Sequence, residues 1–542
     1  MSSLSFLPTT FSFSDPESCP TNNTPHIRRN TTMYLQQSTN SNNNNNENTK
    51  ISTTTTAIIR ALDLPEIRFL ISSYLPRRYC VPCLLVSKSF YTTFLPQIWR
   101  SPNLYPYPLT PKNVHFSAEL VGKHGHLLQE IGPLFSARQF SYLAAARLEG
   151  LRSVTVHQLR TLQDREAFEK VLLNQRQLGV VLKLEDFRSH GHAVDTETLV
   201  GLGILPCLPT PSSGAGIPME RQLPSTNFLR CLTLEKMDMD HSTFLDVLRY
   251  SPHLTDLILA KVVFTSPLSP SSESLLFTSA RISTLTATIH QTVYLGHQDV
   301  TPPPLLAHLP ALTTWKISLI DFQDTDVKPT LAQSLYQAVN THTPLLTNLE
   351  FRWGTTALTN SLLTGAFSDV KIQRIGFTHD QSRDKCNLDG MMSGILRHAH
   401  SLVAVSLSAY NLKPTIHNPT PPPSPQLGPS DTMFSKLMRL CPHLKVLSIP
   451  NYTARIESFE LDEEWACQDL ETLRVKVQGL DEVDACMTKF MALRNSKTWR
   501  SSGQVEVEGD GNGDRVIKRL IGLCRLKTIW LGTKDMYLAT VR

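Results

Sequence analysis

Three His-x-His pairs stand in the sequence: His124/His126, His190/His192 and His398/His400. A spacing of two places both imidazoles on one face of a strand, where they can share a metal ion. No third ligand group accompanies any pair, so ordinary surface or loop histidines are expected and no metal site is assigned. Cys80 and Cys83 make a lone C-x-x-C, "CVPC", with no second pair at zinc-ribbon spacing. That reads as a helix with Cys83 on its inner side. "DGNGDR" opens like a calcium loop through Asp510, Asn512 and Asp514. Its sixth position is Arg515 where glycine is required, and its twelfth is Ile521 where glutamate is required, so the loop is rejected. Glycine-rich phosphate loops, G-x-S-x-G elbows and H-E-x-x-H do not occur. The acidic run "ESFELDEEW" (457–465) reads as a solvated face, with attraction of a basic ligand as the sharper alternative. The expectation is a non-catalytic chain without a cofactor.

The bulk numbers narrow the class further. A chain of 542 residues exceeds one hydrophobic core, so several units or an elongated repeat array are expected. Lysine and arginine number 52 against 47 acidic residues, and no basic block concentrates the net +5. Neither nucleic acid nor an anionic membrane is indicated as a partner. The ten cysteines are scattered, as in reduced intracellular proteins. "MSSLSFLPTTFSFSDPESCP" lacks a basic start and a sustained apolar run, so a secretory leader is not expected. No apolar stretch approaches the roughly 20 residues of a membrane helix. A cytoplasmic or nuclear location follows as the expectation.

These readings leave the question of which elements would position anything functional. Residues 1–57 are Ser/Thr/Asn-rich and are expected to be disordered. From Leu229 onward a pattern recurs. "LRCLTL" (Leu229, Leu232, Leu234), "LTDLIL" (Leu254, Leu257, Leu259), "ISTLTA" (Ile282, Leu285) and "LTTWKI" (Leu312, Trp315, Ile317) begin it. "LTNLEF", "IQRIGF", "LVAVSL", "LKVLSI", "LETLRV" and "LKTIWL" continue it from Leu346, Ile372, Leu402, Leu444, Leu470 and Leu526. Successive starts lie 25 to 56 residues apart, and the two longest intervals hold Pro/Gly-rich insertions at 413–430 and 501–514. Each period-2 pair predicts a short strand with one face buried. Between strands, "DHSTFLDVLRYSPHL" reads as a helix with Asp240 as its cap. One such unit cannot bury its apolar side alone, but stacked copies can, which predicts a parallel-stranded α/β solenoid over 229–542. Residues 105–228 show the pattern only in "LRSVTV" and "VVLKLEDF", and carry a Pro/Gly-rich loop at 206–225.

These units resemble leucine-rich repeats, which implies a curved parallel sheet with helices outside. The asparagine expected three residues after the last strand leucine is missing. Met237, Val262, Gly354, Tyr410, Tyr452 and Gln478 stand there instead, so irregular turns are expected.

Residues 58–104 hold the most compact signal, "LDLPEIRFLISSYLP". Asp63 can cap a helix that Pro65 opens, and Ile67, Leu70, Ile71, Tyr74 and Leu75 share one face of it. Pro76 ends it, and "YCVPCLLVSKSFYTTFLPQIW" suffices for two more short helices. A bundle of that length is at the limit of independent stability and needs a partner or an end of the solenoid to cover it. Leu64, Pro65, Ile67, Leu70, Ile71, Leu75, Pro76, Val86, Ser87, Phe90 and Trp99 together resemble the F-box, with Phe90 where tryptophan is usual and Pro82 inside the second helix. The resemblance implies a three-helix module whose listed side chains dock on the S-phase-kinase-associated adaptor and, through it, the cullin scaffold of SCF ubiquitin ligases. The solenoid would then bind a target protein not identified by the sequence. A scaffold that uses the same surfaces without ubiquitin transfer is the alternative.

Overall fold

The structure, a computed structural model, describes residues 60–102, 118–134, 136–157, 159, 161–180, 182–191, 196–205, 228–264, 278–279, 281–290, 304–320, 329–352, 356–380, 389–410, 431–459, 464–480, 483–496, 507, 511–532 and 536–537. The sequence-predicted loops at 206–225 and 413–430, and the N-terminal tail through residue 59, lie outside them. The chain divides into two compact units, Met1–Ile67 and Arg68–Arg542. In the first, residues 60–63 are helical and Leu64 N–H donates to the Ala61 carbonyl (3.2 Å). Helix α1 (Pro65–Tyr74) begins there and ends in the second unit. Two further helices follow, α2 (Arg77–Cys83) and α3 (Lys88–Trp99).

The second unit is built on one 14-stranded sheet whose spatial order is the sequence order. Its strands are β1 (Glu130–Leu134), β2 (Ser153–Val156), β3 (Asp186–His190), β4 (Cys231–Met239), β5 (Asp256–Phe264), β6 (Thr284–His290) and β7 (Thr314–Ile320). They continue as β8 (Asn348–Arg352), β9 (Arg374–Asp380), β10 (Ala404–Tyr410), β11 (Val446–Arg455), β12 (Thr472–Gln478), β13 (Thr528–Trp530) and β14 (Met536–Tyr537). Neighbours from β1 to β13 pair in parallel, and β14 turns back antiparallel on β13. The fold is an α/β solenoid of the leucine-rich-repeat kind. It includes three strands from 105–228, the region where the repeat was faint in sequence.

The repeated leucines explain the stacking. Every residue of the predicted series, from Leu229 to Leu531, is at most 5% exposed. Parallel register places Leu232 beside Leu257, Leu257 beside Leu285 and Leu285 beside Trp315, so each repeat covers the apolar row of the one before. Each such side chain contributes roughly 1.5–3 kcal/mol when fully buried, which offsets the ordering entropy of its short unit. The intervening helices close the buried side: Phe244, Val247 and Leu248 of the helix His241–Tyr250 join the same core. Asp240 caps that helix by accepting from Thr243 N–H (3.2 Å), as the sequence predicts.

A second bond series ties the repeats together just before each strand. The Gln129 carbonyl accepts from Arg152 and Ser153, Arg152 from Glu185 and Asp186, and Glu185 from Arg230 and Cys231. The series runs on through Arg230, Thr255, Ser283, Thr313, Thr347, Gln373, Val403, Lys445 and Glu471, with N···O distances of 2.7–3.1 Å. One carbonyl thus satisfies two amides of the next repeat, using both of its lone pairs. At two of the positions that lack the asparagine the backbone departs from regular strand. Met237 is buried and Val262 packs on the core, while Lys236 (φ 53°) and Lys261 (φ 58°) adopt left-handed backbone at matching positions of β4 and β5. Both lysines lie within their strands, in a conformation that usually selects Gly or Asn.

Candidate functional site

Two surfaces carry side chains that the fold itself does not use. The first belongs to the helical segment. Ser87 caps α3 by accepting from Phe90 N–H (3.2 Å), which fixes the entry of that helix. Phe94, Ile98 and Trp99 then point inward and are buried. Phe90 stacks on Phe94 with centroids 5.5 Å apart, and the Arg68 guanidinium lies 6.0 Å from the Phe90 ring. In α1, Arg68 and Ser72 are buried, and Ile71 and Leu75 pack on the core. Cys80 and Cys83 are ordinary helix cysteines whose thiols lie near the Leu75 and Tyr79 carbonyls.

The end of α3 is the first rung of the sheet. The Arg100 carbonyl accepts from Gln129 (2.9 Å) and Glu130 (2.9 Å), in the pattern that repeats along the whole solenoid. Its side chain pairs with Glu130 (3.2 Å), and Trp99 lies 5.0 Å from the His124 ring. Burial, with Lys123 and His126 nearby, holds His124 below the usual imidazole range.

The sequence-predicted partner residues therefore separate. Trp99 is buried, and Ile71, Leu75 and Phe90 pack on the core. Ser87 is exposed but acts as the cap, while Ile67 is half-buried. Leu64, Pro65, Leu70, Pro76 and Val86 are exposed. The structure adds residues the motif does not name. Tyr74 is 81% and Leu85 90% exposed, and Phe69, Tyr79, Val81 and Tyr91 are also open to solvent. In sequence their only signal is excess: α1 has more large apolar residues than one inward stripe can hold.

The second surface is the open face of the sheet. Alternation puts one set of strand residues in the core and leaves the other half-buried or exposed. At the β3–β5 end this face carries Asp186, Arg188, Glu235 and Asp256. Arg188 is tied to Asp186 (2.9 Å), and His190 lies 3.2 Å from Glu235. The ring of His190 stacks on His157 at 5.1 Å. At the β7–β12 end the charges among the described residues include Lys316, Glu350, Arg352, Arg374, Arg455, Arg474 and Lys476.

The His-x-His pairs and the calcium-loop-like stretch are distributed as follows. His192 lies outside the described residues, His126 and His400 are exposed, and His398 is buried. Asn512–Arg515 form the start of a helix, where Asp514 holds Lys489 (2.5 Å); the sequence placed this stretch in an insertion. Burial pushes the thiols of Cys231 and Cys486 up to about 11, and those of Cys441 and Cys467 up to about 12. Among the described residues, no group of three His, Cys, Asp or Glu is placed to hold a metal, and no helix is long and apolar enough to cross a membrane.

No protein-family model matches the chain, and no curated protein sequence matches it. Solved structures do resemble it distantly. One is the complex of Rad7 and Elc1 in yeast, with a TM-score of 0.32 and 12% identity, covering 80% of this chain and 93% of that one. Another is the leucine-rich repeat-containing protein LegL7 from Legionella pneumophila, with a TM-score of 0.26 and 12% identity over 54% of this chain and 91% of that one.

Proposed function

We propose that this chain is the non-catalytic substrate-recognition subunit of an SCF-type ubiquitin ligase, acting in the cytoplasm or nucleus. The exposed apolar side chains of α1, α2 and the turn before α3 dock on the S-phase-kinase-associated adaptor, which links them to the cullin. The open sheet face and the loops at its strand ends bind the target. The observation that carries the reading is the exposure of Phe69, Leu70, Tyr74, Tyr79, Leu85 and Val86 on a segment whose inner side is already filled. An end cap has no use for such side chains in water, whereas a docking module does. Sequence supplies the identity of the partner through the Leu-Pro, apolar helix, Leu-Pro, Val-Ser pattern at 64–87.

The mechanism is proximity. Holding a target beside a charged ubiquitin carrier raises the effective concentration of its lysines, so this chain needs no nucleophile or base of its own. Affinity capture of the tagged full chain, co-expressed with adaptor and cullin, separates the ligase from the scaffold. The ligase reading requires both to co-purify in stoichiometric amounts. Capture of adaptor without cullin supports the scaffold, and capture of neither ends the docking reading.

A further inference from the structure

We propose that the open sheet face over β8–β12 takes an extended acidic segment of a partner protein, its carboxylates or phosphates held at two cationic edges. This rests on the reading that the sheet face receives a protein, and it names that protein's chemistry.

The parallel register lays out the surface. One row across the strands reads Lys316, Glu350, Gly376, Ser406, Ser448, Arg474 and Trp530. Its left side is a closed charge cluster, since Glu350 is paired with both Lys316 (3.5 Å) and Arg352 (2.7 Å). The Glu350 side chain also lies over Gly376, where an added Cβ would meet its Cγ at 3.1 Å. Glu350 is thus neutralised, and Lys316 and Arg352 leave one positive charge over. Arg374 is exposed on β9 beside this cluster, and among the described residues it makes no ion pair. Across the floor, β12 presents Arg474 and Lys476, and Lys476 is likewise exposed without an ion pair among the described residues.

The strands β9 and β12 are three strand spacings apart, about 14 Å. Among the described residues β10 carries no charge on this face, while Arg455 of β11, exposed and in register with Gln478, adds to the β12 edge. An extended peptide covers about that distance in four residues, and its side chains at i and i+4 point the same way. Arg374 stands in the row of Thr472, two residues before Arg474 and four before Lys476, so the diagonal spans are about 16 and 19 Å. Acidic groups four to six residues apart therefore reach Arg374 at one edge and Arg474 or Lys476 at the other. Half-buried Trp530 next to Arg474 offers an apolar seat beyond. A nucleic acid fits less well. Its continuous phosphate charge would run onto Asp186, Glu235 and Asp256 at the other end of the same face, and no basic run tracks it.

The test is fluorescence anisotropy of the full chain with labelled probes. Three are used: a ten-residue peptide with glutamates at i, i+4 and i+6, the same peptide with phosphoserine at those positions and so nearly twice the charge there, and a single-stranded DNA of similar length. Both peptides, or one of them, should bind at low salt and weaken as salt rises. Arg374→Glu with Lys476→Glu should weaken peptide binding about tenfold or more. Lys170→Glu, an equal type of charge change on an exposed helix position, should alter it less than about twofold, and Arg374→Lys should retain it. Preference for glutamate or phosphoserine identifies the source of the anion. The proposal fails if neither peptide binds, if Lys170→Glu weakens binding as much per charge, or if the DNA binds more tightly than both peptides and is lost in the double variant. No adaptor is present, so failure here leaves adaptor docking standing, and failure of adaptor docking leaves this result intact.

Discussion

His398 and Gly394 show what single positions do in a stack of this kind. His398 is 3% exposed, and its Nε2 has no hydrogen-bond partner. Burial holds its pKa below the ordinary 6.5, although the nearby carbonyls of Leu363 and Val370 favour the charged form. The folded chain keeps this imidazole neutral while the unfolded chain takes up a proton as pH falls through about 6.5. Its stability contribution is therefore full above that pH and is lost below it. His124 and His157 are shifted in the same direction, with burial the first cause in each. The urea midpoint should fall between pH 7.5 and 5.5, and should fall less in His398→Gln; a midpoint that rises on acidification would contradict this. Gly394 is governed by packing. A Cβ there would meet Leu363 Cβ at 2.7 Å and Asn360 Oδ1 at 2.8 Å, and that same oxygen accepts from Gly394 N–H (2.8 Å). Gly394→Ala should cost about 1–3 kcal/mol by chemical denaturation. Gly513→Ala, whose nearest neighbour would be 3.7 Å away, should be neutral or stabilising.

Among the elements, the helix Val483–Arg494 shows how a repeat is closed. Arg494 is 4% exposed and donates to the carbonyls of Leu523 (3.4 Å), Cys524 (3.2 Å) and Leu526 (2.6 Å). These carbonyls end one repeat and lead into β13. Arg494→Met leaves them without that cation and should cost about 2–4 kcal/mol locally. Hydrogen exchange should quicken at 526–530 and stay unchanged in β4–β8, because repeats transmit strain chiefly to their neighbours. Uniform acceleration along the sheet would mean that the array unfolds as one unit. The strands β4–β13 were legible in sequence because leucine spacing is the physical cause of their burial; β14, two residues with no such spacing, was not. β1 was not legible: "EIGPL" carries Gly132 and Pro133, which argue against a strand in general but are tolerated at a sheet edge, where β1 lies. The helical segment was legible as helices. That Arg100 begins the bond series of the sheet was not, because a carbonyl rung leaves no mark in residue type.

In the molecule as a whole, the same short helices bury one set of apolar residues and expose another. Ile71, Leu75, Phe94, Ile98 and Trp99 complete the end of the solenoid, while Phe69, Leu70, Tyr74, Leu85 and Val86 face water. An end cap and a docking module are thus compatible, and the two kinds of variant should come apart. Calorimetric titration of purified adaptor into the full chain measures this directly. Two exposed side chains of this size correspond to roughly 3–5 kcal/mol when buried at an interface. Leu70→Ala with Tyr74→Ala should therefore weaken adaptor binding about a hundredfold or more while the melting temperature holds. Trp99→Ala should lower the melting temperature first. Adaptor binding at wild-type strength by the Leu70/Tyr74 variant, or no adaptor binding by the wild-type chain, would contradict the account.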